Sequence, residues 1–111
     1  MTLDPARIAV AFADAVNMTA DALEDWLETP ESRRVGFKPD RGESVGHASG
    51  RRIVAILRTP EPERTPEDYA HMRKTVGFVR RHRAQEPANP VTSRWRWSLM
   101  NWGHDPLRSM T

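Results

Sequence analysis

The chain contains no cysteine. Disulfides, zinc–thiolate sites and cysteine nucleophiles are therefore excluded. No apolar run approaches the ~20 residues of a membrane span, and no basic stretch followed by an apolar one opens the sequence, so neither a membrane segment nor a secretion signal is expected. Metal-ligand spacing is missing as well. The four histidines, His47, His71, His82 and His104, form no HxxxH or HExxH pattern. His71 and His82 would share a helix face but stand about 16 Å apart along it, so no metal is expected and no cofactor is implied. No nucleophile motif frames Ser44, His47 and Ser49, and no catalytic residue is assigned. Glu24 and Glu28 read as a solvated acidic face. What remains in 111 residues, 38% of them hydrophobic, is one small soluble domain, expected in the cytoplasm.

Lysine is nearly absent, and the first 32 residues hold almost no positive charge. Lys38 and Lys74 are the only lysines, against 15 arginines. Residues 1–32 carry seven acidic side chains and only Arg7 on the basic side, a net charge of −6, whereas residues 33–111 carry +8. Arginine binds phosphate and carboxylate in bidentate fashion and stacks on aromatic rings, so the bias suits anion recognition. The competing readings are genome composition and pairing of the acidic and basic segments within the fold.

The local signals are helical throughout. Asp4-Pro5 reads as an N-cap followed by proline at the first helical position, with Ile8, Ala11, Phe12, Ala15 and Val16 at helical spacing. Thr19 caps a second helix whose apolar face is Leu23, Trp26 and Leu27. From Thr29 to about Ala48, two prolines and three glycines suggest a long loop. A third helix is expected to start after Ser49-Gly50 and to bury Ile53, Ile56 and Leu57. Thr65-Pro66-Glu67-Asp68 is a strong start for a fourth. That helix carries Tyr69, Met72, Val76 and Val79 on one side and His71, Phe78 and His82 on another, which predicts a central spine. A fifth starts near Thr92 or Ser93, groups Trp95, Leu99 and Trp102, and ends at Gly103. The expected fold is all-α: a single compact domain spanning 1–111, about five helices with a long loop between the second and third, and an irregular tail over about 104–111.

Two basic features carry chemistry. Ser49, Gly50 and Arg51, at the expected start of the third helix, are a candidate anion site, because free N–H groups and the helix dipole attract phosphate. Arg51 and Arg52, the spine residues Arg73, Lys74, Arg80 and Arg81, and Arg94 and Arg96 are the candidate nucleic-acid contacts. Trp97 falls on the outer side of the last helix and is the candidate stacking residue. Trp95 and Trp102 read as core.

The runs Gly46-His47-Ala48-Ser49-Gly50-Arg51-Arg52, Asp68-Tyr69-Ala70-His71-Met72-Arg73-Lys74 and Ser98-Leu99-Met100-Asn101-Trp102-Gly103-His104-Asp105-Pro106, with Asn17-Met18-Thr19 and Trp26-Leu27, resemble a family of short microbial proteins built on a domain of unknown function. The resemblance runs from about residue 9 to 108. Some members carry the generic label DNA-binding protein. The resemblance implies no activity, catalytic residue or cofactor, and Phe37 departs from it by standing where a more polar loop is expected.

Three functions are compatible with these readings. The first is non-catalytic nucleic-acid binding, to double-stranded DNA above all, through arginine–phosphate contacts with little base specificity. The second is an interaction or scaffold module that pairs its acidic helices with basic surfaces, as a homodimer or with a partner. The third is a small enzyme that uses the Gly46–Arg52 segment to hold an anion.

Overall fold

A computed structural model describes residues 4–39 and 42–108. Among these residues there are six α-helices, one 3-10 turn and no strands: α1 (Pro5–Ala15), α2 (Ala20–Leu27), α3 (Pro30–Arg34), α4 (Val45–Leu57), the turn Glu61–Glu63, α5 (Pro66–Arg83) and α6 (Arg94–Asn101). The caps sit where short polar side chains can accept from free N–H groups. The side chains of Asp4, Thr19, Thr29, Ser44, Thr65 and Ser93 each accept a hydrogen bond from the first turn of the helix that follows. Thr65 and Asp68 form a reciprocal capping box.

Two elements differ from the sequence expectation. The stretch after Thr29 is not one long loop, because Thr29 and Pro30 start the five-residue helix α3. Such a helix is too short to display an apolar period. The next helix starts at Val45 under the Ser44 cap, five residues before Gly50. Ser49, Gly50 and Arg51 consequently lie within α4 and not at its N-terminus, and the free N–H groups that the anion site needed are absent there. Gly50 has a packing role instead. A β-carbon at this position would come within 2.5 Å of the Asn101 carbonyl oxygen and 2.7 Å of Leu27, so α4 approaches α2 and α6 through a gap that only glycine leaves.

The core gathers Phe12, Leu23, Leu27, Ile53, Ile56, Met72, Leu99 and Trp102, together with Val76, Val79 and Trp95. The longest helix, α5, packs on α1 and α6. The eight-residue α6 touches α2, α3, α4 and α5, so the hub is α6 and not the expected spine. The buried Asn101 shows how the hub works. Its Oδ1 accepts from the Ser32 hydroxyl at 2.5 Å and from the Trp26 indole at 2.7 Å, and its Nδ2 donates to the Ser32 carbonyl at 3.0 Å. One amide therefore ties α2 and α3 to α6.

The segment after α6 is irregular but held. Gly103 has φ +82°, a left-handed conformation suited to glycine. His104 is buried against the Ala15 carbonyl oxygen. The Asn17 side chain both donates to the Asp105 carbonyl and accepts from its N–H, at 3.0 and 2.8 Å. Among the described residues no helix is long and apolar enough to cross a membrane.

Candidate nucleic-acid interface

The arginines divide by what they touch. Arg51 grips Glu43 through two contacts, Nε at 2.7 Å and Nη2 at 2.5 Å. This pair holds the Glu43 carboxyl at about 2, against a burial that works to raise it, with help from His47. Arg52 reaches Asp68 at 3.3 Å. Arg96 makes a bidentate pair with Asp105 at 3.1 Å and also donates to the Val91 carbonyl at 2.9 Å. Burial works to raise the Asp105 carboxyl, but bonds from Arg96 and the Leu107 N–H outweigh it and keep the group below the ordinary range. Arg94 donates to the Arg34 carbonyl at 3.3 Å and, among the described residues, has no acid partner. Thus Arg51, Arg52 and Arg96 are already engaged by carboxylates of their own chain.

Four of the five arginine and lysine side chains of α5 are not engaged in this way; the fifth, Arg83, is half-buried against the His104 ring at 3.1 Å. Arg73, Lys74, Arg80 and Arg81 are all exposed, and among the described residues none lies within an ion-pair distance of a carboxylate. Their spacing explains the arrangement. At 100° per residue, Arg73 and Arg80 form one row and Lys74 and Arg81 a second about 100° away. Between the rows stand Ala70, Gly77 and Ala84, which keep the ridge low. The Arg73–Arg80 row borders α1 at Arg7, Ile8 and Ala11. The Lys74–Arg81 row borders a groove towards α4 and α6. The Arg81 guanidinium folds back over Gly77, reaching 3.0 Å from where a β-carbon would stand.

The groove beside the second row was not legible in the sequence. It encloses about 400 Å³ between α4, α5, α6 and the segment before α4. Its aromatic wall, Phe78, His82 and Trp102, belongs to a longer column of rings that continues to His71 outside the groove. His71 stacks on Trp102 with centroids 6.0 Å apart, Trp102 on Phe78 at 4.4 Å, and Phe78 on His82 at 4.9 Å. His71, Phe78 and His82 share one face of α5, and Trp102 inserts between two of them. Trp97, the tryptophan expected to be exposed for stacking, is half-buried and does not line this groove. Burial holds both His71 and His82 below the ordinary histidine range; nearby Arg52 and Lys74 push His71 further in the same direction. At neutral pH the column is therefore uncharged, and the positive charge at the groove comes from Lys74 and Arg81.

Three of the four histidines have hydrogen-bond partners among the described residues. The His71 ring pairs with the Ser49 hydroxyl at 2.8 Å, His47 with the Leu27 carbonyl and Glu43, and His104 with the Ala15 carbonyl and Arg83. Among the described residues no group of three or more His, Asp or Glu side chains could hold a metal ion.

A family model described as a protein of unknown function (DUF3140) matches residues 11–100, from within α1 to the last residue but one of α6. The chain belongs to this family. No curated protein and no solved structure matches it. The DUF3140 match covers every α5 cation and most of the groove, and stops just before Asn101 and Trp102.

Proposed function

We propose that the protein binds nucleic acid without catalysis, duplex DNA included, through phosphate contacts from the exposed face of α5. The observation that carries this reading is the set of four exposed cations, Arg73, Lys74, Arg80 and Arg81, none of which pairs with a carboxylate among the described residues. A surface of this kind releases counterions when it neutralises phosphates. The earlier candidates Arg51, Arg52 and Arg96 drop out of the interface because acids of the same chain hold them, and Arg94 stands at its margin. Phosphate contacts of this kind orient a protein on the backbone and read little sequence.

The test is fluorescence anisotropy with a labelled duplex at two salt concentrations. Four contacts predict a fall of about a hundredfold in affinity between about 50 and 200 mM salt. Arg80→Ala with Arg81→Ala weakens binding to unrelated sequences alike and flattens the salt slope by about two. Unchanged affinity in that double variant removes the α5 face from the interface. The alternative, a homodimeric interaction module pairing acidic helices with basic surfaces, has less support, because Arg58 of the same chain already holds Asp21 and Glu24 of α2 at 2.8 and 2.9 Å. A mass that rises with concentration in light scattering would favour it.

A further inference from the structure

The Lys74–Arg81 row borders a groove that a phosphate backbone alone does not explain. Phe37 is 73% exposed and Val45 39% exposed, and both line it opposite the aromatic column. Large apolar side chains gathered at an open groove mark a binding surface more often than a solvated one. The polar groups in the groove are also incomplete. Trp102 is largely buried, but its indole N–H is not; among the described residues it meets no acceptor and opens to solvent, whereas the Trp26 indole donates to Asn101 and the Trp95 indole to the His82 carbonyl. The Trp102 nitrogen lies 3.1 Å from where a β-carbon on Gly46 would stand, so glycine leaves its edge open on that side. The buried Nε2 of His82, on the same lining, has no partner either.

We propose that this groove receives one unpaired nucleobase, with the phosphates flanking it held by Lys74 and Arg81. The proposal rests on the phosphate-binding reading of α5 and adds what the strand must present. A base offers a flat π-face to aromatic walls such as Phe37 and the edge of the Trp102 column. It offers ring nitrogens and carbonyl oxygens to an indole N–H that lacks an acceptor. Its sugar carries the anionic groups that two unpaired cations at the rim would bind. A paired base in a duplex keeps its faces in the stack and cannot enter, so strands with unpaired bases bind more tightly than duplex. Because stacking is tolerant of base identity, this selects for single-strandedness and not for sequence.

The experiment compares three fluorescent ligands at about 50 mM salt: a thymidine decamer, a decamer of abasic residues with the same number of phosphates, and a duplex of the same length. The expected result is that the thymidine decamer binds about tenfold more tightly than the abasic one, in keeping with one stacked base, and more tightly than the duplex. Phe37→Ala narrows that gap and leaves the abasic decamer unaffected; because Phe37 is exposed, the variant stays folded. Equal affinity for the two decamers, or a gap that Phe37→Ala does not alter, overturns the base pocket and leaves the phosphate reading standing. If none of the three ligands binds, the phosphate reading falls and the pocket with it.

Discussion

Two arginine-rich regions of this protein have opposite electrostatic fates. Around α2 and α4, Arg33 holds Glu28, Arg51 holds Glu43, and Arg58 holds Asp21 and Glu24. On α5, Arg73, Lys74, Arg80 and Arg81 face solvent, and among the described residues no carboxylate pairs with them. A bare charge count treats the two regions alike. The difference shows that a cation's availability depends on what folding brings beside it. The acidic N-terminal segment spends part of its charge on arginines that arrive from α3 and α4, and α5, packed on α1 and α6, keeps four of its five cations free of carboxylate partners among the described residues. Exposed pairs of the first kind add little stability, because water and salt screen them. Their larger consequence is to withdraw those arginines from any external anion.

The comparison breaks most visibly in affinity. Reversing two α5 charges, Arg80→Glu with Arg81→Glu, removes two phosphate contacts and adds repulsion; duplex affinity at about 50 mM salt is expected to fall about a hundredfold. Neutralising two paired arginines, Arg51→Gln with Arg58→Gln, leaves affinity within about twofold, because both stand off α5 and are already held by carboxylates of their own chain. Equal losses in the two double variants, read by anisotropy, would mean that pairing does not decide availability.

Stability should rank the residues the other way round. Asn101→Ala strands the Trp26 indole and the Ser32 hydroxyl at the junction of α2, α3 and α6, and is expected to cost about 3 kcal/mol. Arg96→Ala leaves Asp105 half-buried without its bidentate partner and is expected to cost about 2 kcal/mol. Arg80→Ala and Arg81→Ala stay within about 0.5 kcal/mol of the wild type. Urea unfolding measures all four. A large loss for either α5 variant would show that those side chains hold the fold and are not free to bind.

This division explains what was legible beforehand. Helix starts at Asp4, Thr19, Thr65 and Ser93 were readable because a cap and its first turn are adjacent in sequence. The start of α4 was misread because Gly46 and Gly50 looked like loop residues. Both are helical, and Gly50 is there to admit Leu27 and the Asn101 carbonyl, contacts from distant parts of the chain. The α5 cation rows followed directly from helical spacing. Their freedom did not, since it depends on where Glu43 and Asp105 end up. The groove was the least legible feature. It joins Phe37, Phe78 and Trp102 from three separate segments, and no local pattern announces such a meeting. The exposed Phe37 was the one available signal, as an aromatic residue in a segment otherwise polar.

Acid should expose the same contrast with the smallest effect. His71, His82 and His104 are held below the ordinary histidine value of 6.5, in each case chiefly by burial. The unfolded chain therefore takes up their protons first. The stability they contribute is complete above about pH 6.5 and is lost as the pH falls through their lowered values. Glu43 behaves alike at a lower range: its share is complete above its unfolded value of 4.5 and is lost as the pH falls towards about 2. Arginine and lysine keep their charge throughout. From pH 8 to 5.5 the urea midpoint is thus expected to fall while duplex affinity does not weaken, with a further fall below pH 4.5 that Glu43→Gln diminishes. A midpoint that stays flat from pH 8 to 5.5 would mean that the three histidines accept protons in the folded protein as easily as in the unfolded one. The aromatic column beside Lys74 and Arg81 would then gain charge as the pH falls below about 6.5, and the groove would be apolar only above that.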